Sequence, residues 1–198
     1  MQDNKRIIIL AAGSATRMGE PKQMLPYKST TLLGHTITIA NTLSLGKPFV
    51  VLGANADSIL ESHQQYQANF VINPTWEQGM GNSLVFGLTA ALEAEPKLEA
   101  VLVLLADQPL VSPSHLLGII KKYESDAVPV IATKYEHGAG VPAIFNKSLF
   151  PELLELKGDY GARKIIRDHL DKAIMVPKKH SLLDIDTPED YLQLRNLD

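Results

Sequence analysis

Five short apolar runs rich in branched residues punctuate the chain: Arg6 to Leu10, Pro48 to Leu52, Phe70 to Ile72, Ala100 to Leu105 and Val128 to Ala132. Apolar runs without polar alternation predict strands covered on both faces. The segments between them carry helical spacing. Thr31 to Leu45 sets Leu32, Ile39 and Leu43 on one face, Asn82 to Ala94 is rich in alanine and leucine, and Ser114 to Tyr123 follows Pro113, a residue suited to a first helical position. Strand followed by helix, repeated, predicts parallel βαβ units.

Beyond residue 133 the pattern changes. A loop with Gly138 and Gly140 leads into a strand-like Val141 to Phe145, then helical stretches near Ser148 to Glu155 and Gly161 to His169, then Ala173 to Val176. The last helix is expected to start at Thr187-Pro188-Glu189-Asp190, where threonine can cap, proline fits the first turn and the acids suit the positive helix end. No repeat, low-complexity tract or linker interrupts residues 1–198, so the expectation is a single α/β domain of three α/β/α layers with a mostly parallel, Rossmann-like sheet. Open parallel sheets bind ligands beyond the carboxyl ends of their strands, which gives most weight to motifs that follow strands.

Composition narrows the chemistry. With 198 residues, 45% hydrophobic and 21% charged, such a chain buries about 70% of its unfolded surface without needing a cross-link. The lack of cysteine excludes disulfides, zinc ribbons, iron–sulfur ligation and thiolate catalysis. His35, His63, His115, His137, His169 and His180 show no HxH or HExxH spacing, which argues against zinc. The opening MQDNKRIIILAAG has too short an apolar run for a secretory leader and nothing approaches a membrane span, so a cytoplasmic protein with no membrane partner is expected. Residues 1 to 28 carry a balance of +3 against −6 for the remainder, so a small anion would be met at the front end, and no basic run suggests nucleic acid.

The loop after the first strand reads Leu10-Ala11-Ala12-Gly13-Ser14-Ala15-Thr16-Arg17-Met18-Gly19-Glu20-Pro21-Lys22. Small residues admit backbone N–H groups to an anion, while Arg17 and Lys22 add full charges. It is not a Walker A loop: five residues rather than four separate Gly13 from Gly19, Glu20 stands where lysine belongs, and no GxGxxG occurs. On its residues alone the loop is either a triphosphate cradle or a strand-to-helix turn with two solvated basic side chains.

As a whole, LAAGSATRMGEPKQML resembles the signature LAAGxSxRMGxPKxLL of the MobA-like nucleotidyltransferases of molybdenum-cofactor maturation. Asn73 to Leu84 is similar to that family's NPxWxxGMxxSL, Asp107 to Leu110 to its DxPL, Gly158 to Arg163 to its GDxGAR and Asp184 to Asp190 to its DIDTPED, so the likeness spans almost the whole chain. Two positions depart from it: Ala15 replaces the usual serine, and Val141 stands before Pro142 where histidine or another polar residue is common. The resemblance implies the fold of nucleotide-diphospho-sugar transferases. It also implies transfer of CMP from CTP to the phosphate of molybdopterin, with release of pyrophosphate, for maturation of molybdenum hydroxylases. In this family LAAG goes with cytidine and LAGG with guanosine, and Ala12 gives the former.

Residue by residue, the resemblance implies a catalytic set of Lys22 on the α-phosphate and pyrophosphate oxygens, Arg17 on the leaving pyrophosphate, and Asp107 as ligand of a magnesium cofactor. Asp186 is the second metal ligand, with Asp184 competing and a helix-cap role for Asp186 as the alternative. The nucleotide is expected on Leu10, Ala11, Ala12, Gly13 and Lys22 and on Gly79, Gly81 and Ser83, although these last three also read as a glycine-rich turn with a serine cap. Gly140, Pro142, Asp159 and Arg163 are expected to line the acceptor pocket, Arg163 being otherwise a solvated helix residue. Trp76 is expected to pack beneath the Gly79 loop, with ligand stacking as the alternative. A phosphate-monoester nucleophile is mostly dianionic at neutral pH and needs no general base. Competing readings are guanylyl transfer from GTP to the same acceptor, transfer onto a sugar 1-phosphate, and a non-catalytic carrier. Delivery of the product implies a transient contact with a molybdenum hydroxylase or its chaperone.

Overall fold

Every apolar run of the sequence becomes a strand. The computed structural model describes residues 4–15, 18–178 and 183–197. In chain order the elements are β1 (Lys5–Ala11), the short β2 (Pro26–Tyr27) and β3 (Thr30–Thr31), α1 (Leu32–Asn41), β4 (Phe49–Leu52), α2 (Ala56–His63), β5 (Asn69–Ile72), α3 (Met80–Ala94), β6 (Ala100–Leu105) and α4 (Pro113–Ser125). They continue as β7 (Val130–Tyr135), β8 (Gly138–Asn146), α5 (Phe150–Leu154), α6 (Ala162–Asp168), β9 (Ala173–Pro177) and α7 (Pro188–Arg195).

Seven strands form one sheet in the order β5-β4-β1-β6-β8-β7-β9. The β1 strand pairs in parallel with β4 and β6, β4 with β5, and β7 with β9, whereas β8 runs antiparallel to both β6 and β7. The mostly parallel α/β sheet is therefore present. Its antiparallel member arises because Tyr135 pairs with Gly138 across the two residues Glu136-His137, a connection far too short for a parallel crossover.

Successive side chains of the central strands point to opposite faces, and both faces are covered. Ile8, Leu10, Val101 and Val103 pack with Leu84 and Leu88 of α3 and with Leu153 and Ile165 of α5 and α6. Ile7, Ile9, Leu102 and Leu104 pack with Leu33 and Ile37 of α1, Ile59 of α2, and Leu116 and Ile119 of α4. This is why β1 and β6 read as unbroken apolar runs. A smaller cluster of Leu25, Tyr27, Leu32, Ile185 and Leu194 fastens the C-terminal segment beside the β2–β3 hairpin.

Among the described residues, three α-helix starts carry side-chain caps. Thr31 accepts from the Gly34 amide, Ser112 from the His115 amide with Pro113 in the first turn, and Thr187 and Asp190 form a reciprocal capping box around Pro188. Two helices differ from expectation. The first ends at Asn41 rather than Leu45, and the left-handed backbone at Ser44 and Gly46 turns the chain away beyond it. Its buried face is Leu33, Ile37 and Ala40, with Leu32 turned to the smaller cluster and Ile39 only half-buried. The α2 helix has no counterpart in the sequence reading, because its only buried anchors are Ile59 and the polar His63, too few for an apolar stripe. Among the described residues, no helix is long and apolar enough to cross a membrane.

Candidate active site

The order of the sheet places the site. From β1 the chain moves outward through β4 to β5, and α3 then returns it across β1 to β6 on the other side. The order reverses between β1 and β6, and at that switch point the loops leaving both strands open a crevice. The Ala106 amide still bonds the Leu10 carbonyl at 3.1 Å, so the two loops emerge side by side. They line a cleft of about 520 Å³ shared with the start of α3, the 159–163 segment, and Asp184 and Asp186.

The first loop is tied down by its carbonyls. Gln23 Nε2 donates to the Ala11 and Gly13 carbonyls at 2.7 and 2.9 Å, and the Ala54 amide donates to the Ala12 carbonyl at 3.0 Å. Sequence reading missed Gln23, which falls at a variable position of the signature and whose burial nothing in the local pattern reports.

Lys22 sits between two acids. Its Nζ donates to Asp107 Oδ2 at 2.5 Å and to Asp186 Oδ1 at 2.9 Å. The Lys22 and Asp107 side chains are 16% and 19% exposed, whereas Asp186 is 54% exposed, so the inner pair carries most of the interaction. Burial depresses the Lys22 ammonium, but Asp107 and Asp186 together outweigh it and hold its pKa above the ordinary lysine value. Burial raises the Asp107 carboxyl above the usual carboxylate range, opposed by Lys22 and reinforced by Asp184 and Asp186. Asp107 Oδ1 is buried without a hydrogen-bond partner.

Asp184 and Asp186 reach this point because Ile185 between them is fully buried and its amide bonds the Asp107 carbonyl at 3.0 Å. Asp186 turns to Lys22, and Asp184 accepts from Gln108 Nε2 at 2.8 Å. The alternative cap role falls instead to Asp190, which accepts from the amides of Asp186 and Thr187. The same Gln108 nitrogen donates to the Tyr135 hydroxyl at 3.2 Å, and that hydroxyl donates to the Val141 carbonyl. Burial pushes Tyr135 up to about 12, so the phenol stays protonated and keeps donating.

At the α3 end, the fully buried Asn73 organises the NPTW segment. Its amide donates to Asn82 Oδ1 at 2.9 Å and Ser83 Oγ at 3.0 Å, and its carbonyl accepts from the Thr75 amide at 2.9 Å. Ser83 thus presents an anchored hydroxyl at the cleft wall. Trp76 both packs against the core and lines the cleft.

Of the expected residues, Leu10, Ala11, Ala12, Gly13, Lys22, Gly79, Ser83, Asp107, Asp159, Arg163 and Asp186 converge on this one cleft. Gly81, Gly140 and Pro142 do not line it. A Cβ on Gly81 would meet the Tyr160 carbonyl at 2.7 Å, and a Cβ on Gly79 would meet the Gly158 carbonyl and, at 2.7 Å, the Asp159 amide nitrogen. Both glycines therefore admit the 158–160 backbone. Gly140 lies under Tyr135 and Arg163. Pro142, joined to Val141 by a cis peptide, has its carbonyl held by Thr133 at 2.7 Å, and it is Val141 that faces the cleft. Arg17 lies outside the described residues.

Two carboxylates at one edge, one with an unpartnered buried oxygen, suit a hard divalent cation that takes its other ligands from phosphate and water. Among the described residues, no group of three or more histidine, aspartate or glutamate side chains forms a ready-made cage.

Comparison with known proteins shows the family. Residues 7–173 match the family described as the MobA-like NTP transferase domain. The chain is 32% identical over 200 residues to the purine catabolism protein PucB of Bacillus subtilis, covering 95% of this chain and 94% of PucB. It is 31% identical to the nicotine blue oxidoreductase of Paenarthrobacter nicotinovorans, covering 94% of each. The crystal structure of Rv0371c from Mycobacterium tuberculosis superposes with a TM-score of 0.86 at 29% identity over 97% of this chain and 98% of that one. The manganese complex of that protein superposes with a TM-score of 0.80 over 96% and 97% of the two chains. The chain belongs to the MobA-like NTP transferase family of nucleotidyltransferases.

Proposed function

We infer that residues 1–198 act as one nucleotidyltransferase domain that moves CMP from CTP to the terminal phosphate of molybdopterin. The acceptor phosphate oxygen attacks the α-phosphorus, the bond from that phosphorus to the bridging oxygen breaks, and pyrophosphate leaves. The observation that carries the reading is the position of Lys22 against Asp107 and Asp186, beside a loop whose carbonyls are tied into the protein. Asp107 and Asp186 would hold magnesium, which supplies neutralisation of phosphate charge. The Rv0371c complex with manganese supports a divalent ion in this family.

Lys22, drawn toward the nucleotide, places an ammonium against charge that develops on the transferred and leaving phosphates. Arg17 is proposed for the pyrophosphate. The amides of the 12–14 loop and the anchored Ser83 hydroxyl would receive the nucleotide, and Asp159, Arg163 and Val141 would border the acceptor. The Ala12 of LAAG supports cytidine over guanosine. The name of the Paenarthrobacter relative carries a redox activity, but the charged groups of this cleft include Lys22, Arg163, Asp107 and Asp186, the equipment of phosphate and metal binding. The dinucleotide would then pass to a molybdenum hydroxylase or its chaperone.

The deciding experiment incubates the protein with magnesium, molybdopterin and each of CTP, GTP and UTP and identifies the product by mass. The expected product is the cytosine dinucleotide, lost in Asp107→Asn. A guanine dinucleotide would overturn the base assignment, and no dinucleotide with any triphosphate would overturn the reading.

A further inference from the structure

Gln23 has so far served only to tie down the first loop, although it is among the few polar side chains buried in the molecule, at 2% exposure, and lies at the cleft. Both of its bonds from Nε2 go to carbonyls of the first loop, those of Ala11 and Gly13. This fixes the orientation of the carboxamide, since the reverse would set Oε1 against two carbonyl oxygens. Oε1 is then left buried without a partner. An unpartnered buried acceptor costs stability, and an apolar side chain of the same length would avoid that cost, so the amide must serve the loop.

The peptide plane explains how. In a trans peptide the N–H points opposite to the C=O of the same unit. Drawing the Ala11 and Gly13 carbonyls to Gln23 turns the Ala12 and Ser14 N–H groups to the other side, while Ala54, by holding the Ala12 carbonyl, sets the Gly13 N–H in the same manner. Three consecutive amides are thus oriented through their carbonyls, two of them by one side chain. Ala12, Gly13 and Ser14 all line the cleft.

We propose that Gln23 is a positioning residue for the nucleoside triphosphate: by holding the Ala11 and Gly13 carbonyls it fixes the amide array that receives the nucleotide. The inference rests on the reading of this loop as the nucleotide site. The Gln23 carboxamide bonds the Ala11 and Gly13 carbonyls rather than the Lys22 ammonium or a residue bordering the acceptor, so its signature is confined to the nucleotide.

The test compares wild type with Gln23→Met, which keeps the length and removes both donors, by CTP binding in a calorimeter and by steady-state kinetics with magnesium and molybdopterin. The expected result is a rise in Kd and KM for CTP of about tenfold to a hundredfold. The molybdopterin KM and the kcat at saturating CTP should stay within about twofold. Should Gln23→Met aggregate, the same split is read on Gln23→Asn, which stays polar but is too short to span both carbonyls. Equal CTP affinity in wild type and variant overturns the inference, as does an equal rise in both KM values, which would mark a merely structural residue. Failure of the wild type to bind any of CTP, GTP and UTP would instead overturn the reading of the site.

Discussion

Replacing Lys22 with methionine should strengthen the binding of a divalent ion to the nucleotide-free protein while abolishing turnover. In the free protein the ammonium holds the space between Asp107 and Asp186, at 2.5 and 2.9 Å from their oxygens. An incoming cation must displace it. The Asp186 contact is more than half exposed and contributes at most about 1 kcal/mol, whereas the Asp107 contact, largely shielded, lies between the exposed and buried limits at about 2 kcal/mol. Removing the competitor should therefore tighten Mn²⁺ by roughly thirtyfold to a hundredfold, read by titration of the free-ion paramagnetic resonance signal without nucleotide. Turnover should fall about a hundredfold or more, because the proposed mechanism sets the same group against the developing phosphate charge. The melting temperature should drop, since an unpaired carboxylate is left in a shielded position, and added Mn²⁺ should restore it. Unchanged or weaker Mn²⁺ binding in a folded Lys22→Met protein would refute the reasoning.

Gly79→Ala places a Cβ against the Gly158 carbonyl at a backbone angle, φ +100°, that side chains rarely adopt. It should cost about 2–4 kcal/mol in urea unfolding and raise the acceptor KM more than the CTP KM. Burial holds the His63 imidazole below its ordinary value, so as pH falls below about 6.5 the unfolded chain gains a proton before the folded one, and stability is lost through that window and is unaffected above it. Scanning calorimetry between about pH 7 and 5 should show a falling melting temperature, with a shallower slope in His63→Asn; an equal slope in both would exclude His63 as a source.

The central strands were legible because a strand buried on both faces must be apolar throughout, and β1 and β6 are. The α1, α4 and α7 starts were legible because Thr31, Ser112 and Thr187 or their neighbouring prolines write the cap into the sequence. The α2 helix was not, since Ile59 alone gives no periodicity and His63 hides its burial behind a polar name. Asp107 and Lys22 could be singled out because they follow strands in a motif. Their mutual contact could not, because it spans 85 residues of chain. The glycines at 79 and 81 were expected at the nucleotide or in a turn; that backbone some eighty residues away packs against both is something no local rule reports. Gln23 was lost for the opposite reason: its partners are close in sequence, but only the fold shows that its amide is buried.

The contact between the Gly79 turn and the Gly158 peptide makes a single panel of what the sequence writes as two separate motifs. Chimeras among homologues should respect that seam: transplanting GDYGAR without its opposing GMG turn would leave mismatched surfaces, whereas moving both together carries an intact unit. On the proposed assignment of the two motifs to nucleotide and acceptor, preference for one partner molecule would be mechanically tethered to the handling of the other, and the pair should diversify as a linked cassette.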